Sequence, residues 1–358
     1  MPSYSQLAKK EDAAERARIV QNVLRLRAQL DAEIPPKTAG STLLLATWNL
    51  REFGDNRLEE SLLYIAEIIA RFDLVAVQEV QANLGGLEKV AKLLGHGWDY
   101  LVTDSTDGTV GGSERIAFLY DKHKVFFRHI TGEIVLPKEK EIAADGADPA
   151  AGTVQFARTP FCVSFQAGWF KFLLASVHIY YGKDVKNDPR RVAEITRIAE
   201  VLSARAKKEG ESYILLGDFN IYGTGDKTME GLEAGGFHVP DAIKAHPTDL
   251  SKQTKHYDQI AFNLQLDKTM TVFAEDGTAR SGAFNFSKSV YPADNAAEYV
   301  QFFKPEHQAK TGDALQKYYN TWRTYEMSDH LPLWAELKVD FSTQYLERLI
   351  PTATKKKG

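Results

Sequence analysis

Asn49, Glu79, Glu114, His178, Asp218, Asn220, Asp258, Asp329 and His330 each stand at or beside the end of an apolar, strand-like run. Carboxylates, amides and imidazoles mounted on rigid strand ends suit a site that holds a divalent cation and aims a water at phosphorus. Hard cations such as Mg²⁺ prefer oxygen ligands and keep several waters, so one or two carboxylates plus an amide suffice. Asn49, Glu79 and Asp329 fit that role. A thiolate cluster and a histidine pair at i,i+4 spacing are both missing from the sequence, which argues against structural zinc. Phosphodiester hydrolysis further needs a group to orient or deprotonate water, donors for the phosphoryl oxygens and an acid for the leaving alkoxide. Asp218 is the candidate to orient water, with Asn220 two residues on as a phosphate donor. His178 and His330 are candidate donors or acids, and Glu114 and Asp258 are carboxylates that could fix their tautomers.

Each of these residues also has a plain structural reading. Asp218-Phe219-Asn220 can be a polar turn, His178 a hydrogen-bonded core histidine, Asn49 a strand-end cap and Glu114-Arg115 a surface ion pair. Their joint occurrence carries the chemical reading, not any one of them. The aromatic residues from Tyr318 to Tyr325 invite a base-stacking story, but such clusters more often pack a core, and they are left out of the site.

Positioning these groups calls for strands and helices in alternation. Apolar spacing predicts a helix over 5–33, marked by Ile19, Val23, Leu26 and Leu30 and stopped by Pro35-Pro36. A buried strand over 43–49, a helix at about 57–71 and a second strand over 74–77 would carry Asn49 and Glu79 to one rim, because parallel crossovers are right-handed. Further strands are predicted over 116–120, 161–165, 172–180, 213–216 and 256–262, and an alternating one from Leu331 to Val339. Asp188-Pro189 reads as the cap and first turn of a helix running to about Lys208. Residues 138–152 read as a flexible acidic-alanine loop, and 264–327 as strands plus an insertion without clear periodicity. The organisation expected is a helical extension over 1–40, one domain over 41–345 and a flexible basic tail over 346–358.

Composition sets wide bounds. A chain of 358 residues with 44% hydrophobic and 26% charged residues can bury a large core. The formal net charge of −4 does not advertise a nucleic-acid binder, although a local cationic cleft counts for more than the sum. Cys162 is the sole cysteine, so no intramolecular disulfide can form, and it reads as a small buried apolar residue. The first residues lack the pattern of a signal peptide and no apolar run reaches the roughly 20 residues of a membrane span, so a cytoplasmic location is the expectation.

Six segments then combine into a resemblance. Thr47-Trp48-Asn49-Leu50-Arg51, Val77-Gln78-Glu79-Val80, Ser176-Val177-His178, Gly217-Asp218-Phe219-Asn220, Tyr257-Asp258-Gln259-Ile260 and Ser328-Asp329-His330-Leu331-Pro332 resemble the motif series of the endonuclease/exonuclease/phosphatase superfamily, in its order. The finer likeness is to pancreatic-type deoxyribonucleases, carried by Trp48-Asn49-Leu50-Arg51-Glu52-Phe53-Gly54 and by Ser113 to Tyr120. The resemblance implies a four-layer α/β sandwich of two packed mixed sheets flanked by helices. It also implies Mg²⁺- or Mn²⁺-dependent hydrolysis of DNA, with Asn49 and Glu79 as metal ligands and Glu114–His178 and Asp258–His330 as pairs. Asp218 and Asn220 would then act at the scissile phosphate with Asp329 beside them, while Arg158 would contact phosphate and Arg51 the substrate near the metal rim. An acidic residue would be expected in place of Arg51 in the abasic-site branch. Three departures bear on substrate: no disulfide is possible, the loop 107–112 lacks an aromatic wedge, and 264–327 is long. The alternatives are a phospholipid or inositol-phosphate phosphoesterase on the same fold, and a non-catalytic binding protein.

Overall fold

The computed structural model describes residues 2–105, 113–266, 272–273 and 280–350. The loop 107–112 and the lysines at 355–357 therefore lie outside the described residues.

Alternation along the strands builds the layers. In β1 (Thr42–Phe53), Leu43 and Leu45 face one core, while Leu44, Ala46, Trp48 and Leu50 face another. A strand with apolar side chains on both faces must be covered on both, and a central position in a layered sandwich does that. β2 (Leu74–Gln81) repeats the pattern with Leu74 and Ala76 against Val75 and Val77. The first sheet has six strands in the order β12 (Arg280–Ala283), β13 (Leu333–Lys338), β1, β2, β4 (Glu114–Asp121), β3 (Trp98–Val102). The second has five, in the order β11 (Asp258–Asn263), β10 (Ser212–Asp218), β9 (Phe170–His178), β8 (Phe161–Ala167), β5 (Val125–Glu133). Both sheets are mixed, with β1–β2 and β9–β10 parallel and their other neighbours antiparallel.

The sheets pack face to face, with Leu43, Leu45 and Phe118 of the first sharing a core with Phe165, Leu174 and Leu216 of the second. Helix Glu59–Ile69 covers the outer face of the first sheet, and helix Pro189–Glu209 that of the second through Ile195, Ile198 and Leu202. This is the four-layer α/β sandwich. The Pro189–Glu209 helix has the expected start: Asp188 accepts from the amides of Arg190 and Arg191, Pro189 fills the first turn, and Gly210 closes the end at φ 67°.

Three local expectations need correction. The N-terminal helix is broken into Ser5–Ala8 and Ala13–Glu33, because Asp12 caps a new start by accepting from Ala14 and Glu15. Residues 138–152 are not a featureless loop: β6 (Ile142–Ala143) pairs with β7 (Thr153–Val154) into a small ribbon. The stretch 264–327 contains β12 and a regular helix, Gly312–Glu326, whose aromatic residues stack on the helical layer through Tyr319, Trp322 and Tyr299. Among the described residues no helix is long and apolar enough to cross a membrane.

Parallel pairing places the C-terminal ends of β1, β2, β9 and β10 on one rim. The β1–β2 register shifts between Asn49 and Phe53, and the β2–β4 register between Val77 and Val80. Such bulges re-aim side chains at sheet rims. Arg51, Glu52, Glu79 and Asn220 all adopt positive φ, at 29°, 48°, 60° and 55°. Non-glycine residues held this way concentrate where function over-determines the backbone.

Candidate active site

The second sheet reaches the rim through a glycine. Gly217 has φ 132°, and a Cβ there would come within 2.1 Å of the Val177 carbonyl oxygen. Only glycine lets β10 lie this close to β9, and the register then sets Asp218 directly beside His178.

Asp218 is the hub. Its Oδ2 accepts from Asn49 Nδ2 at 3.0 Å and faces His178 Nε2 at 3.5 Å and His330 Nε2 at 3.8 Å. Its Oδ1 accepts from the Asn220 amide at 2.8 Å, which fixes the carboxylate plane. Each imidazole has a carboxylate behind it. His178 Nδ1 lies 2.9 Å from Glu114 Oε2, a close approach rather than an aligned hydrogen bond, and His330 Nδ1 lies 2.8 Å from Asp258 Oδ2. Two histidine–carboxylate pairs thus bring their Nε2 atoms to the same carboxylate oxygen.

Charge in this buried cluster is uneven. Burial alone would push the His330 imidazolium down, but Asp258, Asp218 and Asp329 raise it well above the usual histidine range. The surrounding carboxylates thus favour the imidazolium form of His330. Burial also raises Glu114, yet His178 and Arg158 outweigh it and hold the carboxyl down at about 2. Arg158 makes that contact as a fork, Nε to Oε2 at 2.6 Å and Nη2 to Oε1 at 3.3 Å.

Asn49 and Glu79 meet on the first sheet's side. Asn49 Nδ2 donates to Glu79 Oε1 at 2.8 Å, and Glu79 Oε2 accepts from the Glu52 amide at 2.8 Å. Asn49 Oδ1 accepts from the Arg51 amide at 2.9 Å. Asp329 is not in this network. Its carboxylate, 43% exposed, pairs with Arg51 Nη1 at 3.2 Å, so of the three residues read as metal ligands only two touch. Both arginines read as substrate contacts already hold partners: Arg158 has Glu114, and Arg51 has Asp329, Thr324 and the ring of Tyr325 at 4.1 Å. The Asn220 side chain turns inward, with Nδ2 donating to the Ile179 carbonyl at 2.9 Å.

Several residues that build the site are not singled out by the sequence reading. Gln78 Nε2 bridges Thr47 Oγ1 at 3.1 Å and Ser176 Oγ at 2.9 Å, a polar tie between the two sheets directly beneath the rim. Ser328 Oγ donates to the Asn49 carbonyl at 2.6 Å and Trp48 Nε1 to that of His330 at 2.9 Å, locking β1 to the Asp329-His330 turn. Arg57, buried under the same turn, donates to the carbonyls of Leu50, Arg51, Glu326 and Met327. Tyr257 stacks on His330 with centroids 5.3 Å apart. Gln78 and Ser328 lie inside the quoted motifs, so adjacency could have found them. Arg57 has no such signal.

The sequence profile of the Endonuclease/Exonuclease/phosphatase family matches residues 46–288. The chain belongs to this family. Among curated relatives, a deoxyribonuclease of Thioalkalivibrio sp. (strain K90mix) is 28% identical over 245 residues, covering 66% of this chain and 61% of the relative. Deoxyribonuclease-1 of Bos taurus is 29% identical over 197 residues, covering 51% of this chain and 61% of the relative. The chain thus spans about six-tenths of the length of these relatives. A solved family protein from Bacteroides thetaiotaomicron superposes with a TM-score of 0.51 at 18% identity, over 84% of this chain and 96% of that one. That likeness concerns the family fold.

Proposed function

We propose that this chain is a divalent-metal-dependent phosphodiesterase, a deoxyribonuclease-like endonuclease that cleaves DNA by attack of water on phosphorus. The observation that carries the reading is the shared position of Asp218, flanked by Asn49 and by the Nε2 atoms of two carboxylate-backed histidines. Its relatives named deoxyribonucleases support DNA as substrate.

The residues fit a hard cation. The Asn49 amide and the Glu79 carboxylate adjoin at the rim, and both carry oxygens, although it is Asn49 Nδ2 that meets Glu79 and Oδ1 that accepts from the Arg51 amide. Among the described residues no group of three or more histidine, cysteine, aspartate or glutamate side chains is placed to hold a metal. A small donor set of this kind suits Mg²⁺ or Mn²⁺, which retain waters and lean on one or two carboxylates. Asn49 and Glu79 would hold the ion, with Asp329 joining if it releases Arg51. When bound, a divalent cation supplies electrostatic stabilisation of charge building on the phosphoryl oxygens.

The chain's own groups divide the remaining work. Asp218, with the Nε2 atoms of His178 and His330 beside it, orients the attacking water and accepts its proton. His330, kept protonated by its carboxylate neighbours, donates from Nε2 to a phosphoryl or leaving oxygen. His178, with Glu114 at its Nδ1, presents its Nε2 at the same carboxylate as a second hydrogen-bonding group beside the phosphate. Arg158 and Arg51 would exchange a carboxylate for a phosphate, a swap of like bidentate partners.

Supercoiled plasmid incubated with Mg²⁺ or Mn²⁺, beside EDTA and His330→Ala controls, tests the reading. Metal-dependent conversion to open circles, lost in the variant, is the expected result. Intact plasmid together with hydrolysis of phospholipid or inositol-phosphate esters would move the substrate elsewhere on the same chemistry. No metal effect on thermal stability and no hydrolysis of any phosphoester would leave a binding protein.

A further inference from the structure

The catalytic rim is acidic, and its two nearest arginines are neutralised by carboxylates. One flank differs. The loops that follow β9 and precede β11 carry Lys183, Lys252 and Lys255, the first two exposed and the third half-buried. Lys255 has an unusual mounting. Its ammonium lies 4.0 Å from the ring centre of Tyr222 and 5.2 Å from that of Tyr257, and Tyr257 in turn stacks on His330 at 5.3 Å. The positive charge is therefore one aromatic ring away from the catalytic imidazole.

The mounting is stiff. Asp249 folds the preceding loop around itself, accepting from the amides of Thr254 at 2.6 Å, Lys255 at 2.7 Å and Lys252 at 3.0 Å. The Tyr222 hydroxyl donates to Asp184, and the buried Arg191 guanidinium sits 5.1 Å from the Tyr222 ring. Most acids of these loops are spent inward: Asp188 caps a helix, Asp249 holds backbone amides, and both are buried. The exception is Asp184, whose exposed carboxylate stands 3.6 Å from the Lys255 ammonium; the Lys255 side chain as a whole is 32% exposed. Cation–π contact orients a lysine without consuming its hydrogen-bond donors.

We infer that Lys255, held between Tyr222 and Tyr257, binds a backbone phosphate within about three nucleotides of the one being cleaved, so that the site selects polymeric nucleic acid over small phosphodiesters. The inference rests on the nuclease reading above and names the residue that would give it substrate length dependence. A DNA strand advances about 3.4 Å per nucleotide, so the two ring contacts in series span one to three nucleotides from His330. Lys183 and Lys252 continue the same flank outward.

Two measurements separate this from the reading beneath it. Binding of a fluorescein-labelled duplex is followed by anisotropy in EDTA across a salt series, for the parent chain, Lys255→Ala and Lys255→Arg. The Ala variant is expected to bind about five- to tenfold more weakly, with a log–log salt slope shallower by about 0.9, and the Arg variant to stay near the parent. Steady-state hydrolysis of the same duplex and of bis(p-nitrophenyl) phosphate with Mg²⁺ forms the second arm. The loss in kcat/KM should be about tenfold greater on DNA than on the small diester, and lie in KM. Equal losses on both substrates, or an unchanged salt slope, overturn the inference and leave Lys255 as a packing residue for Tyr257. A parent chain that hydrolyses the small diester but does not bind DNA overturns the nuclease reading as well.

Discussion

Replacing Arg57 by methionine should loosen the rim from beneath without removing any side chain proposed to meet substrate. The Arg57 guanidinium is 7% exposed as a residue and bonds four carbonyls, among them Glu326 at 2.8 Å, Met327 at 2.5 Å and Arg51 at 2.8 Å. Hydrogen bonds from a charged donor contribute about 1.5–3 kcal/mol each, so the gross loss is of order 6–12 kcal/mol. Against this stands the cost of keeping the cation dry. Burial pulls the Arg57 guanidinium down to about 10 from 12.5, opposed by Glu326 and Glu79. Removing the charge therefore returns part of that burial cost. The four carbonyls share one planar fork and do not add independently, so the net destabilisation expected is about 3–5 kcal/mol. This is a large share of the roughly 5–15 kcal/mol that holds a typical domain. Urea unfolding followed by tryptophan fluorescence measures it, and Arg57→Lys, with a charge but no fork, should fall between parent and Met variant. The segments it ties, 50–51 and 326–327, flank Asn49 and Asp329, so nicking activity should fall well below that of the parent under conditions where the variant is folded. A Met variant within about 1 kcal/mol of the parent at an unchanged m-value would refute the reasoning.

Three other outcomes follow from the geometry. Glu114 is depressed to about 2 from 4.5, so its stabilising contribution is fully present above pH 4.5 and lost as pH falls through 2. Acid unfolding curves should show Glu114→Gln losing up to about 3 kcal/mol at neutral pH but converging with the parent near pH 2. Asn49→Asp replaces donors to Glu79 and Asp218 with a third carboxylate; the variant should be about 2–4 kcal/mol less stable in EDTA and recover more than the parent on Mg²⁺ addition in thermal scans. Gly217→Ala cannot fit a Cβ 2.1 Å from the Val177 carbonyl oxygen at φ 132°, and should yield little soluble protein or a loss above about 3 kcal/mol by urea titration.

The two-faced apolar strands were readable because period-2 burial leaves continuous hydrophobic runs, as in Leu43 to Leu45 and Leu74 to Val77. The cluster of polar residues at the rim was legible for another reason. Polar residues after such runs need a partner, and six of them in family order restrict the choice of partner. Contacts formed across the chain were less visible. No local pattern says that Asp329 turns to Arg51 rather than to Glu79, since the alternative depends on Thr324 and Tyr325 holding the guanidinium from a helix. That helix itself was missed because its buried positions are filled by Tyr319, Thr324 and Glu326 instead of aliphatic residues, which blurs the apolar stripe. Arg57 sat unnoticed at a helix start, where a lone arginine normally faces solvent.

The locks between β1 and the Asp329-His330 turn also set a timetable for synthesis. Trp48 and Asn49 are made early, yet they wait for partners 282 and 279 positions downstream. At about 5–20 residues per second, that interval is on the order of 15–60 s during which the nascent chain has a growing core but no His330. β13 must then insert antiparallel beside β1, bringing the last imidazole to Asp218 and Asp258 in the same movement. A ribosome-bound or prematurely terminated chain thus carries the Glu114–His178 pair while Asp258 still lacks His330. The full set of polar side chains at the rim is therefore brought together late and all at once.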